Sequence, residues 1–437
     1  METTETKAVG SSPTEVQSGE FGSAAGRNQA AADDWSGLGD LLALATERLT
    51  APVEGMHHAI ADRWFGLAGP KAALPRTAYH GFTAGVYRSV RMTGSALGTA
   101  VGLGAAAVGS RKGLRPLWRL SPGSGIQAVV NALWGDELEH RRSPLRIELS
   151  LRGAHGEPIG TDPVALGEAF PDPTPRLVVL LHGLGRTERC WLEQTAKGGT
   201  PVGFSEMLTA GAFTPLLVRY NTGRHVSDNG DALAALLEEV MQSWPMPVED
   251  VSLVGHSMGG LVARSAIHAG RAAGHRWAST ARHVVTLGSP HLGAPLEKGV
   301  NLISWGMGFA PESIPLGRFL DQRSAGIKDL RFGAIREDDW EGADPDALLD
   351  DGVDDVPLPE GVRQHFVAGI ITAEPTHPIG VLVGDLIIRV GSGTGRGRRR
   401  RIDAADVRVF AGRGHVDLLH DPVVHDQVRE WLSTKAD

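Results

Sequence analysis

Val251-Ser252-Leu253-Val254-Gly255-His256-Ser257-Met258-Gly259-Gly260-Leu261-Val262-Ala263-Arg264 is the stretch around which the rest of the chain is read. A short apolar run rich in β-branched residues predicts a buried strand, and a helical pattern follows at once. Between them, Gly255-His256-Ser257-Met258-Gly259 fits G-x-S-x-G, a motif that needs a strand on one side and a helix on the other. Gly255 and Gly259 remove the side chains that would clash where strand and helix approach. The turn is expected to be strained and to present the Ser257 hydroxyl at a helix N-terminus, where developing negative charge is favoured. The competing reading is a Gly-rich turn that happens to contain serine.

Outward from the elbow, apolar runs alternate with helical patterns. Leu177-Val178-Val179-Leu180-Leu181 is continuous, as in a central parallel strand covered on both faces. Further strands are expected at 216–220, 283–287, 365–371 and 407–411. Leu145-Arg146-Ile147-Glu148-Leu149-Ser150-Leu151 alternates and predicts an edge strand with one wet face. A helix with Leu233, Leu237 and Val240 on one stripe precedes the elbow, and one carrying Val424, Val428 and Trp431 closes the sequence. The expected architecture is α/β, with a mostly parallel central sheet flanked by helices over residues 145–437.

The other segments are less uniform. Residues 1–35 are rich in Gly, Ser, Ala, Thr and Glu and predict a disordered tail. Residues 36–140 are expected to be helical, with one helix around Leu41–Leu49 and another around Val53–Trp64. Residues 92–109 carry no charge, and small residues at 94, 98 and 102 suit close helix contact. Packing on the catalytic domain or on another copy, contact with a membrane surface, and a true span all remain open there. A cap or lid insertion is expected at about 295–361, where Ile303–Phe309 is either a cap helix over a greasy pocket or ordinary core. The acidic run 337–361 lacks the regular ligand spacing of a calcium loop and predicts a solvated loop. The basic tract Arg396–Arg401 predicts a flexible loop, with anionic lipid or the acidic run as its alternative contacts.

Composition narrows the classes. The 437 residues carry a formal charge of −8, with a pI near 6.1, which gives no support to nucleic-acid binding. A lone cysteine, Cys190, excludes an internal disulfide framework and a cysteine-based zinc site, and is expected to be packed. The opening Met1-Glu2-Thr3-Thr4-Glu5-Thr6 lacks the basic and apolar regions of a secretory signal. The expected location is cytoplasmic, with peripheral membrane association through residues 41–110 left open. No metal and no organic cofactor is expected.

Serine needs a base, and after this elbow the acid follows in sequence with histidine last. His415 stands just beyond the final strand and is the expected base, with His420 and His425 pointing elsewhere. Asp385, in Val383-Gly384-Asp385-Leu386-Ile387, is the expected acid, with Glu374 as runner-up and Asp354 and Asp355 in the solvated run. Two backbone N–H donors must face the reacting oxygen. Met258 supplies one and Leu184, in His182-Gly183-Leu184-Gly185, the other. His182 and His256 are expected to pack rather than titrate.

His182-Gly183-Leu184-Gly185, the elbow, and Thr286-Leu287-Gly288-Ser289-Pro290-His291-Leu292-Gly293-Ala294-Pro295 together resemble the lipase/esterase group of the α/β-hydrolase superfamily. The likeness is nearest to the branch with lecithin–cholesterol acyltransferase and glycosylphosphatidylinositol inositol-deacylase relatives. It covers about residues 145–437 and implies ester hydrolysis with an optional lid, without fixing the substrate. Where that branch commonly has Gly-Asp-Gly at the acid, this chain reads Gly384-Asp385-Leu386. The expected activity is therefore serine-dependent hydrolysis of an apolar, lipid-like carboxylic ester. Acyl transfer on the same fold, and a non-catalytic membrane- or partner-binding protein, are the alternatives.

Overall fold

The computed structural model describes residues 24–67, 72–112, 123–193, 203–294, 323–341, 356–357, 360–374, 377, 384–397 and 400–434. The described chain builds one eight-stranded sheet in the order β2-β1-β4-β3-β5-β6-β7-β8. Its strands are β1 (Ser150–Arg152), β2 (Pro158–Ile159), β3 (Arg176–Leu181), β4 (Thr214–Arg219), β5 (Asp250–His256), β6 (Ala281–Leu287), β7 (Arg363–Ile370) and β8 (Asp406–Ala411). From β3 to β8 every pairing is parallel, and β1 runs antiparallel to both β4 and β2. This is the α/β-hydrolase architecture.

Strand alternation divides the core. Leu177, Val179 and Leu181 of β3 join a cluster on one face with Leu233, Leu237, Leu261 and Trp277. Val178 and Leu180 point the other way, towards Phe204, Leu208, Val424, Val428 and Trp431. After α4 (Pro163–Ala169) and α5 (Phe204–Ala210), the first face is covered by α6 (Val226–Ser243) and α7 (Met258–Ala272), the second by α5 and the helix Pro422–Ser433. Each fully buried Leu or Val contributes about 1.5–3 kcal/mol of apolar transfer energy. Because β4 lies on one side of β3 and β5 on the other, the chain reverses direction there, opening a crevice at the strand C-termini.

The segment before the sheet is a long antiparallel pair, α1 (Ala24–Leu67) and α2 (Ala73–Lys112), followed by α3 (Gly123–His140). Three expectations need correction here. Residues 24–35, read as tail, already belong to α1, where the alanines favour helix. The two helices expected on either side of Pro52 are one. Proline removes one hydrogen bond, but packing against α2, including Arg91 Nη1 to Glu54 Oε2 at 2.5 Å, keeps the helix continuous. The uncharged run 92–109 packs on α1 of the same chain rather than on the catalytic domain. A Cβ at Gly98 would lie 2.5 Å from Gly39 O, and one at Gly102 2.7 Å from Ser36 O. Among the described residues no helix is long and apolar enough to cross a membrane.

The strand expected at 145–151 is also shorter and is not at the edge. Asn131 of α3 takes its backbone groups instead: Nδ2 donates to Leu145 O at 2.8 Å and Oδ1 accepts from Ile147 N at 2.9 Å. Only Ser150–Arg152 remains for the sheet, and β2 covers its outer side. Ile303–Phe309 lies outside the described residues, as do Asp354 and Asp355. The described part of the insertion, 323–341, is fastened to the N-terminus of α6. Asp329 accepts from Val226 N at 2.7 Å and bonds His225 Nδ1 at 3.0 Å, while Trp340 stacks on His225 at 3.7 Å. The basic tract is not free either: Gly397 N donates to Arg400 O at 2.9 Å, and Arg400 Nη1 donates to Phe332 O at 3.0 Å.

The close helix crossing makes a direct prediction. Gly98→Val must push α2 away from the Gly39 carbonyl, so limited proteolysis should cut α1 and α2 faster while the sheet stays protected. An unchanged digestion rate would contradict the contact.

Candidate active site

The elbow is shaped by two near-collisions. A Cβ at Gly255 would lie 2.3 Å from the Gly259 carbonyl carbon, and one at Gly259 would lie 2.2 Å from Leu181 O. With side chains removed at both points, β5 turns directly into α7, and Ser257 between them is held at φ 55°, ψ −123°. Such a conformation costs a non-glycine residue about 1–3 kcal/mol. It is secured by Ser257 N donating to Leu287 O at 2.8 Å. The serine is thus fixed at the α7 N-terminus and at the crevice.

On the far side of β6, His415 follows β8, and its Nδ1 lies 2.7 Å from Asp385 Oδ2. Both side chains are buried. The other carboxylate oxygen of Asp385 accepts from Ile387 N at 3.0 Å and Ile388 N at 2.7 Å, and Asp385 O accepts from His415 N at 3.1 Å. An imidazole donating from Nδ1 to a carboxylate keeps its Nε2 lone pair free to accept a proton. Glu374 is exposed in the turn after β7, so the imidazole pairs with Asp385. His420 approaches Glu193 at 3.7 Å and His425 Nε2 bonds Leu419 O at 2.8 Å, both pointing elsewhere.

Three residues lie around this pair; Leu386 and His256 are marked in the sequence, whereas the task of Gly288 is not. Gly288, at φ 61°, passes so close that a Cβ would lie 3.0 Å from His415 Nδ1 and 3.1 Å from Asp385 Oδ2. Leu386 adopts φ 82° and is 69% exposed. This is the position where the resembled motif has glycine, and the reason is now visible: the backbone is left-handed there. His256, beside Ser257, donates from Nε2 to His415 O at 3.0 Å, with the rings 4.7 Å apart. Burial, reinforced by the charge of His415, holds His256 well below its ordinary pKa, so it is a neutral brace.

The loop after β3 closes the third side. Burial lowers the pKa of His182 to about 4. Its ring stacks on Tyr220 at 4.3 Å, its Nε2 accepts from Tyr220 N at 3.3 Å and its Nδ1 meets Gly183 O at 3.0 Å. A Cβ at Gly183 would lie 3.0 Å from Ser257 Cβ, which brings this loop against the elbow. Gly185 N donates to Thr222 Oγ1 at 3.2 Å, so that amide is already engaged. Met258 N stands at the first helical position, where no intrahelical acceptor exists. Cys190, in the same loop, is buried with its thiol pKa pushed up, and is inert packing.

Beneath that loop lies an ion pair the sequence reading missed. Arg219, at the end of β4, donates to both Glu188 oxygens at 2.6 and 2.5 Å, and both side chains are buried. A charge closing an apolar strand was the available signal. Burial pushes the Glu188 carboxyl up, but the bond and charge of Arg219 outweigh it and the net shift is downward.

Exposed apolar side chains lie close by. Ile126, Val129 and Leu133 of α3 are exposed, and Val129 and Ala132 lie within 4.0 Å of where a Gly185 Cβ would be. Leu386, Ile387 and Val416 are exposed beside the acid and the histidine. Among the described residues no group of three or more His, Cys, Asp or Glu could hold a metal ion.

Residues 218–305 match the family model of the PGAP1-like alpha/beta domain, a segment that contains β5, the elbow, α7 and β6. No curated protein matches. Solved structures with a similar chain path include a Staphylococcus hyicus lipase (13% identity, 60% of this chain and 95% of that one, TM-score 0.34). A Pyrococcus furiosus esterase (12%, 60% and 83%, TM-score 0.34) and the Legionella pneumophila phospholipase PlaB (13%, 60% and 60%, TM-score 0.35) are similar to the same degree. At these scores the likeness carries no argument about chemistry.

The ion pair under the loop predicts a pH-dependent stability. Glu188→Gln strands a buried Arg219 and should cost about 3–5 kcal/mol at neutral pH in urea unfolding. Since the folded-state pKa of Glu188 is lowered, its stabilisation is complete above the unfolded value of about 4.3 and is lost as pH falls below it. The gap between wild type and variant should therefore narrow in acid. A gap independent of pH would contradict the pairing.

Proposed function

We propose that the protein is a serine hydrolase that cleaves carboxylic esters of apolar, lipid-like acyl groups. The observation that carries the reading is the 2.7 Å bond from His415 Nδ1 to Asp385, taken together with a serine at positive φ between β5 and α7. The PGAP1-like match over the elbow supports a hydrolase. Exposed apolar side chains on α3, with Val129 beside Gly185, and next to Asp385 and His415 support an apolar acyl chain. In this reading residues 145–437 are the catalytic domain and 36–140 an accessory region.

Ser257 Oγ attacks the ester carbonyl while His415 Nε2 takes its proton. Asp385 keeps the Nδ1 proton in place and stabilises the imidazolium. The oxyanion is held by the N–H groups of Met258 and Leu184, aided by the positive end of α7. The C–O bond breaks, His415 returns the proton to the leaving alcohol, and an acyl-Ser257 remains. Water then adds to the acyl carbon, giving its proton to His415, which passes it to Ser257 Oγ as the acyl C–Oγ bond breaks and the acid leaves. Strain at Ser257 is consistent with the role, because a relaxed turn would let the hydroxyl swing away from this geometry.

A series of p-nitrophenyl esters from acetyl to palmitoyl tests the reading. Turnover should rise with chain length and vanish in Ser257→Ala. Asp385→Asn should lower kcat by about 10⁴, as loss of the orienting acid does in other triads. Gly288→Ala, whose new methyl meets His415 Nδ1, should lower kcat with little effect on KM. Serine-independent turnover, or a normal rate in Asp385→Asn, would overturn the assignment.

A further inference from the structure

One side of the α1–α2 hairpin is apolar across both helices. On α1, Leu42, Leu49, Val53, Met56 and Ile60 recur at helical spacing with Thr46, and all five are exposed. On α2, Phe82, Val86, Val90, Leu97 and Val101 do the same. Thr46 shares a shallow groove of about 810 Å³ with Phe82, Val86, Val90 and Leu97, so the two stripes face the same way. A surface this wide and apolar calls for an occupant.

Two observations identify it. From Arg63 to Gly135 the sequence holds nine Lys or Arg and no Asp or Glu, in a chain whose formal charge is −8. Over residues 24–112 as a whole, nine Lys or Arg stand against six Asp or Glu, with Arg76 paired to Asp62 and Arg91 to Glu54, so the hairpin carries a net +3 that favours an anionic surface. Apolar exposure is also not confined to the groove side. Leu74 is 83%, Met92 64% and Leu103 68% exposed. Rotation of about 100° per residue turns Met92 and Leu103 away from Val86. A second copy seated on the groove would leave those residues in water, whereas a layer into which the hairpin settles covers both flanks. Trp64, near the end of α1, and Phe82, on the groove side of α2, are 70% and 72% exposed, and such aromatics suit a lipid–water boundary.

We propose that the α1–α2 hairpin docks on an anionic lipid bilayer, lying in its interfacial region rather than crossing it. Apolar side chains enter the acyl boundary while Lys and Arg remain among the head groups. The docked element is joined to the crevice through α3. Val130 and Leu138 of α3 pack with Leu44 of α1, and the exposed Val129 stands at the oxyanion loop. The docking does not depend on the chemistry at Ser257.

The test is flotation of the full chain with vesicles of phosphatidylcholine alone, or with about a third phosphatidylglycerol. Wild type should bind the anionic vesicles, bind the neutral ones weakly, and be released by about 0.5 M salt. Phe82→Asp and Leu74→Asp, each at a highly exposed site, should separately weaken binding by about tenfold or more, with circular dichroism unchanged. Hydrolysis of p-nitrophenyl butyrate should be the same in both variants as in wild type. Equal binding to neutral and anionic vesicles would overturn the proposal. So would absence of vesicle binding together with a concentration-dependent dimer that Phe82→Asp dissociates, which would make the face a contact between copies. Vesicle binding without any ester hydrolysis would leave the docking standing and remove the catalytic reading instead.

Discussion

The close passage of Gly255 over Gly259, and of Gly259 over the Leu181 carbonyl, is the constraint on which the site depends. No side chain fits at either point, so β5 can enter α7 without a loop, and Ser257 must take a positive φ. That one conformation places the hydroxyl at a helix N-terminus and the Met258 amide next to it. The energy that holds a strained serine comes from its surroundings: β5 is paired on both sides by parallel strands, and α7 is buried along most of its length.

The remaining groups are brought to the elbow by rigid local devices rather than by long side chains. Asp385 is tied by two backbone amides, His415 by its own amide and by the His256 brace, and the loop after β3 by the buried Glu188–Arg219 pair. Each of these described groups is thus fixed from behind. The arrangement trades stability for geometry at Ser257 and Leu386, both left-handed without being glycine. It recovers stability in the two apolar layers on either side of the sheet.

Much of this was legible in the sequence where a period or a motif recorded it. The continuous apolar run 177–181 and the strand–turn–helix around Ser257 read directly. His415 and Asp385, chosen by their order after the serine, lie within hydrogen-bond distance of one another. What could not be read depends on contacts between distant segments. Asn131 draws the backbone of Leu145 and Ile147 out of the sheet, so an alternating pattern yields only a three-residue strand. Pro52 signals a break that packing against α2 overrides. Gly288 carries no local mark of its task, which arises only when β6 is set beside the ends of β7 and β8. The small residues at 94, 98 and 102 signalled close packing, but not that α1 was the partner.

The most direct test of the central claim is chemical trapping at Ser257. Wild-type protein treated with a fluorophosphonate should gain one adduct by intact mass, mapped by peptide sequencing to Ser257, and His415→Ala should label far more slowly under the same conditions. An adduct on another residue, or labelling that ignores the loss of His415, would contradict a serine activated by that histidine.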